Sequence, residues 1–132
     1  WPANVKNPVF LAALAIFIAG SGIRPDFIIG DRYGTSASSE LSRLALRLLE
    51  DMGFAAVRNK PYAGGFITEH YGRPARNLHA LQIEINRSLY IDETTLKKKN
   101  DFARVVHALQ LFLENFSSEI AGGGERLPFA AE

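Results

Sequence analysis

The chain has 132 residues, 47% hydrophobic and 22% charged, enough for one domain with a core of its own. Its 15 basic and 14 acidic residues leave a formal net charge of +1, which gives no electrostatic ground for a nucleic-acid or anionic-membrane partner. There is no cysteine, so disulfides and thiolate metal sites are excluded and a reducing compartment is compatible.

The first feature is the apolar run Val9–Ala19. A helix needs about 20 such residues to cross a bilayer, so this run is too short. Lys6 before it and the small residues Ala19–Gly22 after it faintly imitate a signal peptide, but a buried helix or strand is the reading adopted. Asp26–Ile29 is predicted as a buried strand that delivers Asp31 to the loop Arg32–Ser36. Loops after strand C-termini carry ligands in open α/β folds, which makes Asp31 and Thr35 candidate site residues. A local role suits them equally: Asp31 tying down the turn, and Thr35, Ser36 or Ser38 capping the next helix.

Leu41, Leu44, Ala45, Leu48, Leu49 and Met52 repeat at helical spacing, and Gly53 stands where a left-handed C-terminal cap belongs. Arg43, Arg47, Glu50 and Asp51 form the wet face of this helix. Phe54–Val57 reads as a short strand ending at Arg58–Asn59. In Lys60–Gly65, Pro61 fixes one φ, and the paired glycines permit conformations or close approaches denied to other residues. Phe66–Tyr71, with Glu69 and His70, is a short helix or an extended piece, and Gly72–Asn77 is a turn.

That turn leads into His79–Asn86, the strand that organises the chain. Alternation puts His79, Leu81, Ile83 and Ile85 on one face and Ala80, Gln82, Glu84 and Asn86 on the other. A buried carboxylate such as Glu84 needs a partner, a metal or a proton, and such groups concentrate at sites. Next, Asp92 or Thr94 is expected to start a long helix. Its buried stripe is Phe102, Val105, Val106, Leu109, Phe112, Leu113 and Phe116, with Lys97–Lys99 on its wet side. His107 is off the stripe and is read as a surface histidine. Ala121–Gly124 ends the helix, and the tail beyond it has Leu127, Pro128 and Phe129 as its only anchors. This element order argues for an α/β layered domain, with a mixed, largely parallel sheet flanked by helices.

The chemistry these residues permit is hydrolysis. Glu84, near a glycine-bearing loop with Tyr62 and His70, can take a proton from water and pass it to a leaving nitrogen. Arg87 suits a substrate carboxylate, held bidentately. The competing reading makes Glu84 and Arg87 partners in internal ion pairs. His79 and Glu84 point to opposite faces of the strand, and His70 has no partner at a recognised ligand spacing, so no complete zinc site is visible.

Three stretches, FIIGDRYGTS (Phe27–Ser36), NKPYAGGFITEHYGRP (Asn59–Pro74) and HALQIEINRSLY (His79–Tyr90), together resemble the C-terminal half of the N-formylglutamate amidohydrolases. The resemblance runs from Arg24 to Phe116, with the motifs in the family's order. It implies a fold like that of the zinc carboxypeptidases (phosphorylase/hydrolase-like), a mixed sheet between helices with zinc at the sheet's C-terminal edge. It implies Glu84 as the general acid/base, with Arg87, His70, Tyr62, Asn59 and Asp31 near the substrate. The implied reaction is zinc-dependent hydrolysis of N-formyl-L-glutamate to formate and L-glutamate, a cytoplasmic step of histidine degradation. The implied partner is a small N-acyl amino acid rather than a nucleic acid or membrane.

The chain also departs from the family. Members are considerably longer, and their zinc-binding residues lie in the N-terminal half. The last ligand motif, His-Ser-Met-Pro, is expected shortly before Arg24, where Asn7–Ala15 contains no histidine. Residues 1–132 are therefore read as a single partial catalytic domain, with 1–20 outside the resemblance and 121–132 a tail. The zinc ligands are absent, and the chain alone is expected to be inactive. The alternative is a non-catalytic α/β module that keeps the fold and binds a small acid or a protein partner.

Overall fold

A computed structural model describes residues 25–122 and, for their backbone alone, residues 9–17. The apolar run forms strand β1, Val9–Phe17. There follow β2 (Phe27–Gly30), α1 (Ser39–Asp51), β3 (Ala56–Arg58), α2 (Phe66–Tyr71), β4 (His79–Asn86) and α3 (Phe102–Gly122). The signal-like residues 19–22 and the tail anchors Leu127, Pro128 and Phe129 lie outside the described residues.

The strands make one sheet in the order β1-β4-β2-β3. β1 pairs with β4 in parallel, β2 with β3 in parallel, and β2 with β4 antiparallel. The sheet is therefore mixed and largely parallel, as expected. In the antiparallel pair Phe27 faces Ile85, Ile28 faces Glu84, Ile29 faces Ile83 and Gly30 faces Gln82.

Alternation along β2 and β4 decides which face each helix covers. Phe27, Ile29, Leu81, Ile83 and Ile85 pack with Leu44, Ala45 and Leu49 of α1 and with Phe112 and Phe116 of α3. Burying one such aromatic or aliphatic side chain contributes roughly 1.5–3 kcal/mol, so this layer supplies most of the cohesion. The opposite face, with Ile28, Ala80, Gln82 and Glu84, is approached by α2 and the loop before it.

α1 forms where its stripe predicts. The Ser38 hydroxyl accepts a hydrogen bond from the Leu41 N–H as N-cap, and Gly53 takes φ +87° just past the end. α3 departs from expectation. It begins at Phe102, because the Asp92 carboxylate accepts hydrogen bonds from the Thr94 and Thr95 N–H groups, both 2.9 Å, and closes a turn instead of capping a helix. Leu96 then adopts φ +58°, and Ile91 bridges to Lys98. Lys97–Lys99 are exposed, but they lie in this turn rather than on the helix. The buried stripe of α3 is also narrower than predicted. Val105, Phe112 and Phe116 are buried and Leu109 packs beside them, while Val106 and Leu113 remain 40% and 44% exposed at its edge.

Candidate functional site

The polar face of β4 meets the loop Lys60–Gly65, and two glycines allow the meeting. Gly30 has no room for a side chain, since a Cβ there would lie 2.8 Å from the backbone carbonyl of Ala63. Gly64 takes φ +124°, a conformation that L side chains rarely adopt. The Arg32 N–H donates to the Ala63 carbonyl at 2.7 Å and anchors the loop to the end of β2.

Gln82 sits directly below. Its Oε1 accepts from the Gly65 N–H at 3.0 Å, and its Nε2 donates to Glu84 Oε1. Glu84 is only 6% exposed. Burial pushes its carboxyl up from the ordinary value, and the hydrogen bond from Gln82 partly offsets that rise. Among the described residues nothing hydrogen-bonds Glu84 Oε2. Glu84 forms no ion pair among the described residues, so the internal pairing of the competing reading is met by Arg87 alone. Arg87 holds Glu93, with Nε and Nη2 both 3.3 Å from Oε1.

Asp31 lies at the end of β2 and is fully buried. Its Oδ1 accepts from Asn59 Nδ2 at 2.7 Å and from the Gly34 N–H at 3.1 Å. Its Oδ2 accepts from Ser42 Oγ at 2.5 Å and Arg58 Nε at 2.7 Å. Burial alone would raise the carboxyl, but the bonds from Arg58, Ser42, Asn59 and Gly34 outweigh it and hold Asp31 below its ordinary value. Asn59, at φ +62°, also receives the Asp31 N–H on its Oδ1 at 3.0 Å. Thr35 is exposed, and its hydroxyl closes the turn onto the Arg32 carbonyl.

Of the predicted site residues, the fold brings Asp31 and Asn59 into contact and sets Glu84 beside Gln82, whose amide holds the glycine loop that carries Tyr62. It keeps Arg87 apart. Asp31 lies just beyond the Gly30–Gln82 pair and Arg87 beyond the opposite end of β4, roughly 20 Å away at about 3.3 Å per strand residue. Tyr62 and His70 are exposed, and the His70 ring stacks on Phe66 with centroids 5.2 Å apart. His79 is buried on the core side, where its Nδ1 accepts from the Ser38 N–H at 3.2 Å and burial lowers its proton affinity. His107 is exposed, as expected.

Sequence reasoning missed Arg58 and Ser42, the two side chains that complete the Asp31 cluster. A signal existed: two short strands ending in Gly-Asp and Arg-Asn juxtapose those ends if they pair in parallel, and β2 and β3 do. An open cleft of about 290 Å³ lined by Tyr33, Arg58 and Asn59 lies at this edge. Among the described residues no three His, Cys, Asp or Glu side chains gather as a metal ion needs.

Comparison with known proteins converges on one description. The family model for N-formylglutamate amidohydrolase matches residues 10–91. That match begins inside the segment that the motifs alone leave outside the resemblance. An N-formylglutamate deformylase of Pseudomonas putida is 42% identical over 74 residues, covering 55% of this chain and 28% of that protein. The N-formylglutamate deformylase of Pseudomonas aeruginosa is 35% identical over 107 residues, covering 80% and 40% respectively. The crystal structure of N-formylglutamate amidohydrolase from Ralstonia eutropha JMP134 superposes with a TM-score of 0.72 at 34% identity, covering 80% of this chain and 38% of that one. The chain thus spans well under half the length of each of these relatives.

Proposed function

The chain belongs to the N-formylglutamate amidohydrolase family, and we propose that it supplies the Glu84-bearing part of an enzyme that hydrolyses N-formyl-L-glutamate to formate and L-glutamate. The observation that carries this reading is Glu84 itself, a buried carboxyl turned away from the hydrophobic core and, among the described residues, held by one oxygen. As the water oxygen bonds to the formyl carbon, Glu84 takes the water's proton. It returns that proton to the leaving nitrogen as the C–N bond breaks. A carboxyl raised by burial suits the return step, because it releases its proton closer to working pH. We further propose, from the family resemblance alone, histidine breakdown in the cytoplasm as the setting of this reaction. Among the described residues no helix is long and apolar enough to cross a membrane.

Arg87 is the proposed reader of a glutamate carboxylate, and Glu93 occupies it now. Arg87→Ala is expected to raise KM and leave kcat at saturating substrate nearly intact. Glu93→Gln should lower KM by removing the competing carboxylate. A pair of variants with unchanged KM would take Arg87 out of substrate binding.

The described residues do not fit a zinc ion, and no step above is routed through one. The zinc that the resemblance implies would take its ligands elsewhere in a full-length family member. Metal analysis of the purified 132-residue chain is expected to find no stoichiometric zinc. A chimera tests the function: residues 25–122 replace the matching part of the Pseudomonas aeruginosa deformylase. It is expected to release formate from N-formyl-L-glutamate. A chimera that melts like its parent yet releases none would favour the non-catalytic module.

A further inference from the structure

We propose that Gln82 is the positioning residue for Glu84, its amide relaying the placement of the Lys60–Gly65 loop to the carboxyl. The inference rests on the reading of Glu84 as proton carrier. A side-chain amide has one accepting and one donating end. The Gly65 N–H can only donate, so it fixes the accepting end of Gln82 upward and leaves Nε2 aimed at Glu84. The reversed amide would set N–H against N–H and oxygen against a carboxylate oxygen.

The support for this relay is rigid on both sides. Gln82 is the register partner of Gly30, and the loop lies so close on Gly30 that a methyl group there would meet its backbone at 2.8 Å. The anchor from Arg32 to Ala63 holds the same loop from the β2 side. At Gly65 a Cβ would stand 3.5 Å from Gln82 Oε1, ordinary contact, so the amide fills the space under the loop. Residues 82 and 84 are next neighbours on one face of the strand, which lets a single glutamine span from loop to carboxyl.

Other titratable groups on the elements packed against this face are few. The loop has Lys60 and Tyr62, and α2 has Glu69, His70 and Tyr71, all exposed. Glu69 pairs with Arg32 at 3.7 Å. β1 and β2 contribute no ionisable side chain.

The test is an NMR titration of the full chain with labelled glutamate carboxyls. In the wild type the Gly65 amide and the Gln82 side-chain NH₂ should shift with the same midpoint as Glu84. Gln82→Met keeps the length and removes both hydrogen bonds. Its Glu84 midpoint should move further up, and Gly65 should cease to follow it. In the active chimera the same change should lower kcat, leave KM unchanged and move the acidic limb of the pH–rate profile upward. A Glu84 midpoint unchanged in a normally melting Gln82→Met chain overturns the proposal. So does a wild-type Gly65 amide that ignores the Glu84 titration, a measurement that needs no variant. Activity retained by Glu84→Gln would instead remove the proton-carrier reading and leave the titration behaviour of Gln82 intact.

Discussion

Arg58→Met is expected to destabilise the fold by about 3 kcal/mol, the low end of the roughly 3–5 kcal/mol that breaking a buried ion pair costs. The low end applies because the Arg58 side chain is 29% exposed and because Ser42, Asn59 and the Gly34 N–H still bond the carboxylate. The loss is large all the same, since Asp31 is fully buried and cannot recover its hydration. The pH dependence carries a second signature. In the wild type the Asp31 carboxyl lies below its unfolded value, so its contribution is present above the ordinary carboxylate range and fades as pH falls through the lowered folded value. Without Arg58, burial acts against fewer opposing bonds. The acid-side loss should then shrink or reverse, so that the deficit relative to wild type narrows on acidification. Urea denaturation across an acid-to-neutral pH series reads both effects. A deficit constant with pH, or one under about 1 kcal/mol, would show that Asp31 does not depend on Arg58. Adding Asp31→Asn to Arg58→Met should recover part of the loss at neutral pH, because the stranded charge is gone.

How much of this was readable from residues alone differs from element to element. α1 was legible because periodicity, N-cap and C-terminal glycine agree with one another. β4 was legible because a two-residue alternation places Leu81, Ile83 and Ile85 in the core and Gln82 and Glu84 opposite, as the fold does. The run Val9–Phe17 carries no such alternation, and an unbroken apolar stretch does not distinguish strand from helix. Only its pairing with β4 decides it. The start of α3 was misread because Asp92 looks the same in sequence whether it caps a helix or closes a turn. The choice is made by Leu96 at positive φ and the Ile91–Lys98 bridge.

The candidate site divides along the same line. Glu84 was visible because a polar residue on a core strand is a local anomaly. The Asp31 cluster was half visible, since both readings of Asp31 rest on its position after a strand, and its buried bonds show at least the turn-tying one. Arg58 and Ser42 come from two other elements, so their convergence on one carboxylate depends on the parallel pairing of β2 with β3 and on the way α1 lies across them. Sequence separation hides this kind of contact. Gly65 was legible as a glycine needing close approach, yet the group it approaches, the amide of Gln82, was not.

Glu84→Gln, made in the active chimera, is expected to lower kcat by about 10² to 10⁴, the usual worth of general acid/base catalysis. The substitution keeps the shape of the side chain and leaves an oxygen that can still accept from Gln82 Nε2. It removes the one property the mechanism needs, the exchange of a proton with water and then with the leaving nitrogen. KM should change little, because the proposed role acts in the transition state and not in ground-state binding. Stability supplies the control. The folded Glu84 carboxyl lies above its unfolded value, so ionisation costs the fold something at neutral pH, and that cost disappears as pH falls through the raised folded value towards the unfolded one. A neutral glutamine carries no such cost, so Glu84→Gln should melt at or above the wild-type temperature near neutral pH, with the difference shrinking on acidification. An inactive variant that also melts early would point to a structural Glu84. One that melts normally and turns over at the wild-type rate would remove Glu84 from the reaction.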